Sequence, residues 1–286
     1  MAQRGETRVT ASPEPGGERA LTAAPDPVPE HLRRLGKVPG FGLWLTEPVR
    51  GAADAALLVA ATPWLAAARN GDGHGVLVLP GLLADDRSTK PLRAYLKRRG
   101  YYVRGWRLGR NIGPSAAILD GLPGGLEALA DRTGGTVDVI GWSMGGIFAR
   151  TLARDHPDLV RQVITLGSPF GVAHGHRTRA DRTYDRLAPL HAHEHERLPV
   201  RSSLAEPLAV PSTSVYSRLD GIVSWRACLT EAGDTTQNVE VRCSHLGYGF
   251  DPATLWVVAD RLSQSEGRWE RFDPPRALRT FYGRVS

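Results

Sequence analysis

From Gly75 onward, short unbroken apolar runs alternate with longer stretches whose apolar positions recur every three or four residues. VLVL (Val76–Leu79) predicts a strand, and STKPLRAYLKRRG predicts a helix with Leu92, Tyr95, Leu96 and Arg99 at helical spacing. Pro91 suits an early helical position there and Gly100 a stop. YYVRGW is the next strand, followed by a Gly/Pro loop and a helix near Leu122–Asp131. TVDVIGW predicts a strand, GGIFARTLARDH a helix ending before Pro157, and VITLGS a strand. TSVYS and VEVR are further strands, and DPATLWVVADRL closes as a helix with Leu255, Val258, Ala259 and Leu262 on one face. This alternation predicts an α/β protein with a mainly parallel, doubly wound sheet.

Three segments break the rhythm. Residues 1–35 are rich in Pro, Gly and charge, with no continuous apolar stretch, and read as a disordered tail rather than a signal peptide. Residues 36–74 read as a helical extension ahead of a core spanning 75–265, and Ala52–Ala68 within it is the chain's one membrane candidate. Asp54 and Pro63 interrupt that stretch, which is shorter than the roughly 20 residues a spanning helix needs, so a helix packed on the body is favoured. The 42 residues from Phe170 to Pro211 are too long for an ordinary connection and read as a lid or cap insertion, with Phe170, Leu187, Leu190, Leu198 and Leu204 as its apolar underside. Residues 266–286 read as a C-terminal extension wrapping the surface.

Composition narrows the class without choosing a chemistry. The chain has 286 residues, 41% of them hydrophobic and 23% charged, with a formal charge of +6. Those are the proportions of a globular domain with a sizeable core. Three of the 36 basic residues are lysine (Lys37, Lys90, Lys97), and the arginines are scattered among acids. That spread favours a solvated surface over a partner-binding stripe, and no nucleic-acid-binding signature is present; peripheral contact with anionic lipid, or an acidic partner, is what the charge leaves open. Without a signal peptide a cytoplasmic location is expected, with secretion or membrane association as the alternatives. The oligomeric state is not legible.

The chemistry sits where the apolar run VDVI meets the helix GIFARTLARDH. Gly141-Trp142-Ser143-Met144-Gly145 fits G-x-S-x-G in its strand-to-helix context. A serine in such a turn takes a strained backbone conformation, and side chains two positions before and after it would collide with the neighbouring backbone. The hydroxyl needs a base, and the base needs an acid to orient it. Asp220, in the Asp-Gly turn that ends SVYSRLDG, is the first choice of acid, with Glu231 and Asp234 as alternatives. Of the nine histidines only His245 lies beyond Asp220, on the loop after VEVR, and it is the expected base; His31, His74 and His156 read as surface residues. The N–H groups of Met144 and of Leu82, just after Pro80-Gly81, are the expected donors to an oxyanion.

With VLVLPGLL, VIGWSMGGIFAR, VITLGSPF, SVYSRLDGIVSW and VEVRCSHLGYG in hand, the chain resembles the α/β-hydrolase superfamily on its lipase/esterase side. TLGSPF is similar to the strand end TLGTPH of bacterial triacylglycerol lipases. The resemblance spans roughly Gly75 to Leu262. It implies the α/β-hydrolase fold and hydrolysis of a hydrophobic or lipid-like small-molecule ester through an acyl-enzyme, with no cofactor and no metal. An acyltransferase using the same residues and a non-catalytic binding protein of the same fold are the rivals. The chain departs from the pattern in carrying Pro-Gly where His-Gly is usual at the oxyanion loop. Secreted bacterial lipases carry a bridge placed like one between Cys228 and Cys243, which would tie the acid loop to the base loop and contribute about 3 kcal/mol. A reducing cytosol would keep both thiols free. The histidines of the insertion (His174, His176, His191, His193, His195) invite a metal reading, but their spacing is not that of a zinc protease and a solvated lid surface is favoured.

Overall fold

The structure is a computed structural model that describes residues 38–171, 178–191, 204–231 and 233–283. Helices α1 (Phe41–Leu45) and α2 (Glu47–Leu65) precede strand β1 (Gly75–Leu79). Then follow α3 (Lys90–Arg98), β2 (Tyr102–Gly105), α4 (Ala116–Thr133), β3 (Val137–Trp142), α5 (Met144–Asp155) and β4 (Val160–Leu166). A short helix α6 (Asp181–Leu187) precedes β5 (Ser212–Ser217), β6 (Thr236–Val241) and α7 (Pro252–Leu262). The six strands form one sheet in the order β2-β1-β3-β4-β5-β6, every pair parallel.

Burial on both faces explains why the strands read as unbroken apolar runs. Val76 and Val78 of β1 enter one core with Ile140, Ile164, Leu92 of α3 and Leu255 of α7. Leu77 and Leu79 enter the other with Val139, Val163, Leu126 of α4 and Phe148 of α5. The two-residue alternation thus feeds two separate helix layers. Within β3 the charged exception is Asp138, fully buried and bonded by His74 Nε2 at the N-terminal edge of the sheet. His74 is therefore not the surface histidine its flanking sequence suggests: the ring also stacks edge-on against Tyr101, with centroids 5.0 Å apart.

Helix α4 starts six residues earlier than its pattern predicts, running through Gly121, Pro123, Gly124 and Gly125. The Gly/Pro cluster reads as a breaker in sequence. The helix persists because Ile118, Leu122, Leu126 and Leu129 bury one continuous stripe, and packing outweighs propensity. It ends at Gly134, whose φ of 71° is the left-handed cap that glycine adopts without strain.

Helix α2 carries the membrane candidate, and no helix among the described residues is long and apolar enough to cross a membrane. One stripe, from Glu47 through Gly51 and Asp54 to Leu65, is buried. The opposite face is solvent-exposed and apolar, with Val49 at 73% exposure and Val59 at 76%; Phe41, Trp44 and Leu45 of α1 continue it. Residues 268–283 lie along the body, with Phe272, Leu278 and Tyr282 buried in the α7 core.

The insertion is described in part. Phe170 and Leu204 pack into the body against Ile147 rather than forming the underside of a cover, and Leu190 faces solvent. Arg150, itself buried, donates to Leu204 O at 2.6 Å and lies over the Phe170 ring, which fixes both ends of the insertion to α5. Leu198, His174, His176, His193 and His195 lie outside the described residues, as does the N-terminal tail. His191, the remaining histidine of the metal reading, is buried beside Tyr184.

Candidate active site

All six strands point their C-terminal ends the same way, so the loops that follow them gather along one edge of the sheet, where parallel α/β sheets build their sites. Ser143 terminates β3 there. Its φ of 53° and ψ of −123° lie where a residue with a side chain is strained. The strain is imposed by crowding. A Cβ on Gly141 would strike the backbone of Gly145 and Gly146, and one on Gly145 would strike Leu79 O and lie 2.8 Å from Pro80 O. The two glycines let α5 start directly against β1 and β3, which leaves Ser143 lifted at the turn. Met144 is the first residue of α5, so its N–H lacks an intrahelical acceptor.

The loop after β1 meets the serine from the other side. A Cβ on Gly81 would sit 3.1 Å from Ser143 Cβ and 3.7 Å from its Oγ. Leu82 follows in the lining of the same cavity. This loop is held by a residue that sequence reading missed. Asn111, fully buried, donates from Nδ2 to Pro80 O at 2.9 Å. Its backbone carbonyl accepts from Leu83 N at 2.7 Å and its N–H donates to Ala84 O at 2.8 Å. Leu83 has a φ of 62° there, a second strained position beside the serine.

Asp220 and His245 come from the loops after β5 and β6. His245 Nδ1 lies 2.6 Å from Asp220 Oδ2, and both side chains are almost fully buried. The other carboxylate oxygen, Oδ1, accepts from the N–H groups of Ile222 at 2.8 Å and Val223 at 2.7 Å, so the acid is fixed by its own turn. Glu231 and Asp234 precede β6 and therefore lie toward the opposite edge of the sheet, away from this pair. Burial alone would lower the His245 pKa; the Asp220 charge and hydrogen bond, with a smaller contribution from Glu47, outweigh it and hold the imidazole above the ordinary histidine value. Tyr248 stands edge-on to the imidazole with ring centroids 6.0 Å apart, and Trp142 Nε1 donates to His245 O at 3.2 Å.

Ser143 and His245 line one cavity of about 320 Å³ whose other walls include Trp44, Leu82, Leu83, Ile222 and Leu246. Arg179, Ala180 and Thr183, from the insertion, border it as well. Arg179 donates to Pro39 O at 2.8 Å and its guanidinium lies 5.8 Å from the Trp44 ring centre, which joins the insertion to α1 at the cavity mouth.

Helix α2 reaches this site too, a contact absent from the sequence expectations above. Glu47 accepts from the backbone of both the Asp220 turn and the His245 loop, and Asp54 accepts from Ser244 N and Oγ. The bridge between these loops is therefore not a disulfide. Cys228 and Cys243 are free thiols in separate clusters, Cys228 with Tyr216, Val223 and Ala227, Cys243 in the α7 core. Burial pushes both thiols well above their ordinary range, which leaves neither as a nucleophile. No cluster of metal-ligating side chains occurs among the described residues.

Comparison with known proteins agrees with this architecture. Residues 132–187, which hold Ser143 but neither Asp220 nor His245, match a family model described as alpha/beta hydrolase fold. A solved structure of the metagenome-derived lipolytic enzymes LipS and LipT is similar, with a TM-score of 0.52 at 15% identity over 68% of this chain and 93% of that one. Lipase B of Aspergillus fumigatus is similar, with a TM-score of 0.53 at 15% identity over 69% of this chain and 54% of that one. No curated protein matches the chain in sequence. The chain has the α/β-hydrolase fold.

Proposed function

We propose that this α/β-hydrolase-fold protein is a serine hydrolase that cleaves carboxylic esters with a hydrophobic acyl or alcohol part. The observation that carries the reading is one shared cavity. It holds a serine in a strained strand-to-helix turn together with a histidine whose Nδ1 is 2.6 Å from a buried aspartate. Asp220 accepts the Nδ1–H, which leaves Nε2 as the basic nitrogen. Ser143 Oγ attacks the ester carbonyl carbon while its proton passes to His245 Nε2. The negative charge that develops on the carbonyl oxygen is taken by the N–H groups of Leu82 and Met144. Collapse breaks the carbon–oxygen bond to the alcohol, which leaves with the proton from His245. Water then attacks the acyl-serine in the same way, returns the proton to Ser143 and releases the acid.

The cavity walls support a hydrophobic substrate, and the surface beside them supports a lipid surface as its source. Trp44 belongs both to the cavity and to the exposed apolar face that runs along α1 and α2. The two carboxylates in residues 38–71, Glu47 and Asp54, are turned inward, so that face carries no exposed negative charge. The decisive experiment is hydrolysis of a p-nitrophenyl ester series from acetate to palmitate. Ser143→Ala is expected to lower kcat by about 10⁵-fold or more, the loss seen when a triad serine is removed. Wild-type protein that neither hydrolyses these esters nor reacts with a fluorophosphonate would overturn the reading.

A further inference from the structure

Glu47 belongs to α2, outside the sheet and its crossovers, yet its carboxylate is 2% exposed and filled with donors from the site. Oε1 accepts from Gly221 N at 2.6 Å and from His245 N at 3.1 Å, and Oε2 accepts from Leu246 N at 3.1 Å. Gly221 follows the acid and His245 is the base, so one carboxylate spans two loops that leave two different strands. Arg50, one turn further along α2, donates to Oε1 at 2.9 Å and also to Leu219 O, on the acid turn, at 2.6 Å.

The rest of that helix face is shaped for the same contact. Gly51 and Asp54 follow Glu47 at i+4 and i+7, on one side of the helix. A Cβ on Gly51 would lie 3.0 Å from Leu246 Cβ, so the glycine permits the close approach. Asp54 Oδ2 accepts from Ser244 N at 3.0 Å and Ser244 Oγ at 2.6 Å. Three consecutive N–H groups, those of Ser244, His245 and Leu246, thus end on carboxylates of α2. Charge-assisted bonds of this kind hold a backbone more firmly than neutral ones.

We propose that Glu47 is a positioning residue: it locks the acid turn and the base loop to one another, keeps His245 aligned on Asp220, and adds a buried negative charge beside the imidazole. The proposal rests on the serine-hydrolase reading for its kinetic consequence and not for its geometry. The charged and titratable groups facing His245 are Asp220 from the β5 loop, Glu47 from α2 with Arg50 upon it, Asp54 through Ser244, the Tyr248 ring, and Arg179 across the cavity. The two carboxylates nearest the ring both favour imidazolium, and removing Glu47 removes one of them. The direction is fixed: the variant's His245 titrates at a lower pH, and the acid limb of the rate profile moves down with it.

Glu47→Gln keeps the shape and loses the charge, and Glu47→Ala loses both. The first measurement is an NMR titration of His245 in a Ser143→Ala background, with and without Glu47→Gln, which needs no catalysis. The second is the pH dependence of p-nitrophenyl butyrate hydrolysis with Ser143 present, each rate divided by the active sites titrated with fluorophosphonate. Glu47→Gln is expected to lower the His245 pKa, and to lower kcat per titrated site by about 10- to 100-fold with KM little changed. A variant that merely folds poorly loses titratable sites but keeps the wild-type limb and kcat per site. An unchanged His245 pKa with unchanged kcat per site overturns the proposal. Wild-type protein that is inert to ester and probe sinks the hydrolase reading alone, since the NMR shift still decides whether Glu47 acts on His245.

Discussion

Two regions converge on the cavity and are held there by different physics. The turn from β3 into α5 is held by sterics over a few residues: Gly141 and Gly145 admit neighbouring backbone that no side chain would allow, and Ser143 absorbs the strain. The loop that carries His245 turns locally on a bond from Gly247 N to Ser244 O, but that turn does not set the imidazole. It is held by side chains of distant elements: Asp220 on its ring, Trp142 on its carbonyl, and Glu47 and Asp54 of α2 on its N–H groups. On the proposed serine-hydrolase reading, a nucleophile can be built into a short turn because only its backbone must be set. A base must have its ring plane, its tautomer and its charge set together, which needs partners from several directions.

This difference predicts where damage is greatest. Asp220→Asn removes the charge that stabilises the imidazolium, and because the Ile222 and Val223 N–H groups hold the amide oxygen, the amide NH2 turns toward Nδ1 and donates where the carboxylate accepted. The expected fall in kcat is about 10⁴-fold. Because the Asp220 charge also holds the His245 pKa up, the residual activity should extend to lower pH than in wild type, read from the acid limb of the rate profile. Asn111→Ala is expected to cost less. It leaves Pro80 O and Gly113 N without their partners, loosens the Leu82 loop, and should lower kcat by about 10- to 100-fold through the oxyanion. Labelling of Ser143 by fluorophosphonate should slow in parallel while His245 keeps its wild-type titration. An altered His245 titration in Asn111→Ala would show that the two sides of the cavity are not independent.

The same difference decides what could be read from the chain. Ser143 was legible because its constraint is local: glycines two positions either side, a strand before and a helix after. The pairing of Asp220 with His245 was legible because each follows a short strand in the order this fold uses. Glu47 was not, because its partners Gly221 and His245 lie 174 and 198 residues away, and an isolated Glu-Pro before an apolar run reads as a helix start. One signal was available. Glu47 and Asp54 fall on the same helical face as Leu58, Ala61 and Leu65, and a carboxylate on an inward stripe must find donors. Cys228 and Cys243 left the question of a bridge open for the converse reason. The lipase resemblance allowed a bridge and a reducing cytosol allowed free thiols; the thiols are free, each packs into a different apolar cluster, and the loops are joined by a carboxylate instead. Asn111 left no trace, because its role is defined by backbone groups of a loop 31 residues earlier.

The smallest expected effect tests the two faces of α2 against each other. The inner face bonds the site loops through Glu47, whereas the outer face, with Val49, Leu57 and Val59, is apolar and exposed among the described residues. If that face meets a lipid surface, Leu57→Glu with Val59→Glu should weaken co-sedimentation of the Ser143→Ala protein with vesicles containing anionic lipid. The expected loss is about tenfold or more, from the apolar burial removed and the negative charge introduced. Hydrolysis of dissolved p-nitrophenyl acetate should be unchanged in the same double variant with Ser143 present, because neither side chain lines the cavity that holds Ser143 and His245. Equal vesicle binding by both proteins would refute the lipid-surface contact. A fall in acetate hydrolysis instead would mean that the outer face bears on the site through the helix, and that the two faces of α2 act as one.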